Sequence, residues 1–142
     1  MCDALAIALH QMTGFPLGLL RVCYPDDLGE EGDEAYLDYH AVVIIDPDVP
    51  RWLDVDGIAV GFPAVGMPVA GMRLPPSARY ALEPADPDAV AEAFTLEGLR
   101  PAEISQARRF IEADPLLSAL ARRTLSDLAA AEPHRVFERS PA

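Results

Sequence analysis

The stretch Ala35 to Asp56 constrains this chain most. Ala35 to Ile45 (AYLDYHAVVII) is dense in β-branched and aromatic side chains, which fit the pleated, half-buried surface of a strand. Asp46-Pro47-Asp48-Val49-Pro50 follows with turn chemistry, and Trp52 to Asp56 (WLDVD) then alternates apolar and acidic residues with the period of a strand. Together they predict an antiparallel hairpin. A lone hairpin is marginal in water, so other elements must cover its apolar face.

The flanks supply those elements. Asp3 to Thr13 (DALAIALHQMT) consists almost wholly of good helix formers and ends at Gly14, a natural residue after a helix C-terminus. It is apolar on most faces, which predicts a buried helix. Leu17 to Tyr24 reads as a strand, an acidic loop runs from Pro25 to about Glu34, and a short strand is expected near Ala78 to Leu82. Gly57 to Pro76, rich in Gly, Pro and Met, reads as a packed irregular loop. Three helices are expected downstream: Asp86-Pro87 to Phe94, Pro101 to Glu112, and Pro115 to Ala131 with a broad leucine stripe. The expected class is therefore α+β, an N-terminal helix on a small antiparallel sheet of three to five strands with C-terminal helices closing the other side. At 142 residues the length suits one domain over 1–133, with 134–142 a frayed tail.

Charge narrows the partners. The net charge of -12 opposes contact with nucleic-acid phosphates, whose binders need Lys or Arg to replace counterions. It favours a protein substrate or partner of basic character, and Asp26, Asp27, Glu30, Glu31, Asp33 and Glu34 concentrate it in one loop. No apolar run approaches the ~20 residues that span a bilayer. The start lacks the basic region of a secretory signal, so the expected compartment is the cytoplasm. All eleven basic residues are Arg, and both Lys and Asn are absent. A GC-rich genome accounts for both absences, because the two residues use A-rich codons. Oligomeric state leaves no mark in the sequence.

Cysteine chemistry needs a thiolate, a base to take its proton and a group to orient the base. Cys2 opens the first helix, where aligned peptide dipoles and free N–H groups favour an anion. His40 lies within the predicted strand. Asp54 lies on the return strand, within reach of an imidazole across the hairpin. Asp56 shares its parity and is the second choice for the acid. Cys23, within an apolar strand, reads as a buried small hydrophobe. His10 follows Cys2 by eight residues on one helix, about 12 Å along the axis, too far to be its base. His134 falls in the tail. No Cys-x-x-Cys, His-x-x-x-His or Gly-rich phosphate loop is present, so neither a metal nor a cofactor is expected.

The order Cys2-Asp3-Ala4-Leu5-Ala6, His40-Ala41-Val42-Val43 and Trp52-Leu53-Asp54-Val55-Asp56-Gly57 resembles the papain-like and transglutaminase-like cysteine enzymes, in particular small bacterial and phage members. The resemblance covers Cys2 to Gly57. No tryptophan or glutamine stands just before Cys2, where papain-like proteases place an oxyanion donor. The resemblance implies a hydrolase or acyltransferase acting on amide bonds of a protein through a Cys2 thioester, as a protease, glutamine deamidase or transglutaminase. His40 would be base and acid, and Asp54 its orienter. Were it an effector or toxin domain, it would be delivered to another cell. The alternative is a non-catalytic acidic interaction protein, a phage inhibitor or immunity-type binder, on a degenerate hydrolase scaffold.

Overall fold

The computed structural model describes residues 2–25, 34–62, 77–94 and 99–137. The acidic loop and most of the Gly- and Pro-rich segment lie outside these residues. In chain order the elements are α1 (Cys2–Thr13), β1 (Leu17–Pro25), β2 (Glu34–Asp46), β3 (Arg51–Asp54), β4 (Gly57–Val60), β5 (Arg79–Pro84), α2 (Pro87–Phe94), α3 (Pro101–Ala113), α4 (Pro115–Ala121), α5 (Leu125–Ala130) and β6 (Arg135–Val136). The strands form one mixed sheet in the order β5-β1-β2-β3-β4-β6. Every pair is antiparallel except β4 with β6. The architecture is α+β, with six strands in the sheet among the described residues rather than three to five.

Two of those strands were not expected. Gly57–Val60, read as irregular loop, pairs with β3 across the tight turn Val55-Asp56. Gly57 closes this turn at φ 97°, a left-handed conformation that glycine adopts freely. A Cβ there would also strike the His134 ring, 2.6 Å from Nδ1. The return strand therefore stops at Asp54, two residues earlier than the alternation in WLDVD suggests. His134 to Phe137, expected to fray, instead run along β4. The His134 amide donates to Ile58 O at 2.8 Å, and Ile58 N donates to His134 Nδ1 at 3.0 Å. Residues 138–142 lie outside the described residues.

Helix α1 is the middle layer. Ala4, Leu5, Ala8 and Leu9 pack on Val43, Leu53 and Ile58 of the sheet and on Ala107, Ile111, Leu117, Leu120 and Leu128 of the C-terminal helices. Those helices close the far side of α1, and the opposite face of the sheet carries an aromatic row instead. There Trp52 stacks between Phe62 and Phe137, with centroids 6.3 and 5.9 Å away, and Phe62 stacks on Tyr80. The leucine-rich stretch 115–131 is two helices rather than one. The first ends at Ala121 with Arg122 as its cap, and Thr124 caps the second, its hydroxyl accepting from Asp127 N at 3.1 Å. Arg51 then fastens α5 to β3 by donating to the Leu128 and Ala131 carbonyls, each at 2.8 Å.

Candidate active site

Three features of the sheet set up the site. In the β1–β2 ladder Leu20 faces His40, but Arg21 faces Asp38, so Tyr39 is an extra, unpaired residue. Such a bulge kinks a strand and re-aims its side chains. Next, Val43 faces Leu53, so the same register sets Asp54 opposite Val42 and leaves His40 beyond the end of β3. Finally, α1 begins at Cys2, and its packing on β2 brings that first turn to Ala41 and His40.

Cys2, His40 and Asp54 meet as a result. His40 Nε2 lies 2.9 Å from Asp54 Oδ2. Cys2 and His40 border one cavity with Ala41, close enough for the thiol and the imidazole to interact electrostatically. With Nε2 committed to the carboxylate, Nδ1 is the ring nitrogen left for sulfur. Asp54 is only 3% exposed, which makes it a rigid partner. Its Oδ1 accepts the Asp56 N–H at 2.9 Å, and its Oδ2 also accepts a charge-assisted bond from Arg135 Nη2.

Asp56 does not face His40. It sits in the β3–β4 turn with its side chain 64% exposed, and its Oδ2 is 3.6 Å from Arg135 Nη1. Cys23 lies on β1, paired with Tyr36 and Arg79, away from the triad. His10 bonds the Phe15 carbonyl at 2.7 Å and holds the end of α1. Among the described residues no group of three His, Cys, Asp or Glu could hold a metal ion.

The electrostatics follow from these contacts. Burial disfavours the Cys2 thiolate, but the hydrogen bonds from His40 and Ala41 and the imidazole's charge outweigh it, so the thiol pKa falls below its ordinary value. Burial likewise disfavours an imidazolium at His40. The Asp54 and Cys2 partners override it and push the His40 pKa up to about 9. Asp54, though buried, is held below the usual carboxylate range by His40, the Asp56 N–H and Arg135. All three shifts favour a thiolate–imidazolium pair backed by a carboxylate.

A cavity of about 390 Å³ opens beside the pair, walled by α1, the ends of β2 and β3, and α3. Gln106 and Phe110 of α3 border it. Gln106 and Cys2 also border a second cavity together, so an uncharged amide and the thiol line the same space. Sequence reasoning missed Arg135, Gln106 and Phe110, because none belongs to a local motif. A search of protein-family models, of curated proteins and of solved structures finds no match to the chain.

Proposed function

We propose that this protein is a thiol-dependent enzyme of amide carbonyls, with Cys2 as nucleophile, His40 as acid and base, and Asp54 as orienter. The observation that carries the reading is His40 held between the Cys2 thiol and the buried Asp54 carboxylate. Three independent elements meet there: a helix start, a bulged strand and a strand end.

The Cys2 thiolate attacks the carbonyl carbon, forming the S–C bond and a tetrahedral oxyanion. Backbone N–H groups in the first turn of α1 and the Gln106 amide are the donors at hand for that charge. The imidazolium passes its proton to the leaving nitrogen as the C–N bond breaks, leaving a Cys2 thioester and a neutral His40. The imidazole then takes a proton from water, or from an acceptor amine. The new oxygen or nitrogen attacks the thioester, the thiolate departs, and the imidazolium is restored. Water gives hydrolysis or deamidation, and an amine gives transfer.

Intact-mass spectrometry after brief exposure to iodoacetamide near pH 6 tests this. One adduct mapping to Cys2 is the expected result, lost in His40→Ala. A chain that stays unlabelled at Cys2 would leave the acidic interaction protein as the better reading.

A further inference from the structure

Single hydrophobic side chains on a folded surface are ordinary, but two that border one cavity are informative. Val55, in the β3–β4 turn, is 45% exposed, and Phe110, on α3, is 49% exposed. Far apart in sequence, they border the same cavity. Its inner wall is Leu5 and Ala6 of α1, Ala41 of β2 and Leu53 of β3, all from the protein core. Among the described residues, and apart from Cys2, His40 and Asp54, the lining carries no ionisable group, and Gln106 supplies its one other polar side chain.

We propose that this cavity is the specificity pocket of the enzyme and takes an uncharged aliphatic or aromatic side chain of a peptide substrate, adjacent to the carbonyl that Cys2 attacks. The inference rests on the thiol-enzyme reading and adds the substrate class. Continuity with the chemistry identifies the occupant, since one wall of the pocket is the thiol and imidazole themselves. A volume of 390 Å³ lies within the range of about 300–1,000 Å³ typical of ligand sites, enough for a branched or aromatic side chain. A charged side chain would surrender its hydration and find, among the described lining residues, no counter-ion but the triad, which is already paired. An apolar one would cover Leu5, Leu53 and the two exposed residues at the mouth. A glutamine side chain as target fits less well, because beyond the triad the pocket offers one amide to replace its hydrogen bonds with water.

The test compares second-order rates of Cys2 alkylation by N-substituted iodoacetamides at 0.15 M salt, each divided by its rate with free cysteine. N-isopentyl and N-phenethyl iodoacetamide should exceed iodoacetamide at least tenfold and saturate with concentration. The N-(2-aminoethyl) and N-(2-carboxyethyl) compounds should gain nothing. Phe110→Ala and Val55→Ser, both at exposed positions, should each reduce the apolar advantage several-fold. Equal ratios for all the compounds, or a lead for the cationic one, would overturn the pocket while leaving Cys2 a reactive thiol. A rate that keeps climbing from N-hexyl to N-decyl would also overturn it, in favour of an extended acyl chain. Failure of every reagent at Cys2 would instead remove the enzyme reading itself.

Discussion

His40 Nε2 lies 2.9 Å from Asp54 Oδ2, although His40 stands two positions beyond the residue that faces Asp54 in the ladder. Diagonal neighbours in a sheet are about 7–8 Å apart at the backbone, a gap that a ring and a carboxylate can close. Asp56, two residues on, lies past the end of β3 and turns to Arg135 instead. Asp54→Asn should therefore lower turnover by on the order of 10² or more, the scale of a lost acid–base contribution, and slow Cys2 alkylation at neutral pH. Asp56→Asn should change either rate by less than about threefold, since exposed ion pairs contribute little. Alkylation rates need no known substrate, and a reversed order of effects would assign the orienter to Asp56.

Cys2 and Cys23 are both partly accessible, so exposure alone does not separate them. Ionisation does, because the Cys2 thiol carries hydrogen bonds from His40 and Ala41 that lower its pKa. Near pH 6 Cys2 should alkylate at least tenfold faster than Cys23, measured by peptide mapping after a timed quench. Comparable labelling would mean that the imidazole does not hold a thiolate.

Arg135 shares Asp54 Oδ2 with His40 and reaches Asp56 as well, so β6 is tied to the site by charge as well as by pairing. Arg135→Gln should lower stability by about 1–2 kcal/mol in urea unfolding. That is less than the roughly 3–5 kcal/mol of a fully buried broken pair, because a third of the arginine side chain is in water. With its competitor gone, Asp54 should pull harder on His40, and the imidazole should titrate higher by NMR. An unchanged or lower His40 pKa would mean that Arg135 orders the carboxylate more than it competes for it.

The parts of this site that sequence reveals are those written in short-range patterns. Helix α1 announces itself by composition and by Gly14, and β2 by its run of β-branched and aromatic residues. His40 and Asp54, only 14 residues apart, come together through one hairpin. The choice between Asp54 and Asp56 stayed open in sequence because alternation gives both the same face. What decides it is the turn at Val55-Asp56-Gly57, and Asp-Gly is a turn signal in its own right. The break at Thr124 was likewise written as a capping residue and was hidden by the leucine stripe around it. Arg135 is different in kind, since its contact with Asp54 spans 81 residues and depends on a two-residue strand. No local propensity encodes such a contact. The bulge at Tyr39 is equally silent, because it exists only relative to β1.

The pH dependence gives the sharpest check, because binding of a proton has opposite consequences at the two ends of the pair. His40 is raised from 6.5 to about 9, so its contribution to stability is complete below about pH 6.5 and is lost as pH rises through 9. Cys2 is lowered, so its contribution is full above the ordinary thiol value of 9.0 and is lost as pH falls through the depressed one. The two shifts describe one coupled pair, so their effects do not add. In the proposed mechanism turnover needs both thiolate and imidazolium, the latter to protonate the leaving nitrogen, and should follow a bell whose upper limb lies near pH 9. Alkylation by iodoacetamide needs only the thiolate, so its rate should rise through the lower limb and show no fall above pH 9. In Asp54→Asn the upper limb of turnover should move down, because the imidazolium has lost its carboxylate. In Cys2→Ser the thermal midpoint should fall more steeply between pH 7 and pH 9 than in the parent, because the rising Cys2 contribution that offsets the falling His40 one is gone while Asp54 still holds a proton on the imidazole. Parallel profiles for turnover and alkylation above pH 9 would show that His40 does not act as the acid.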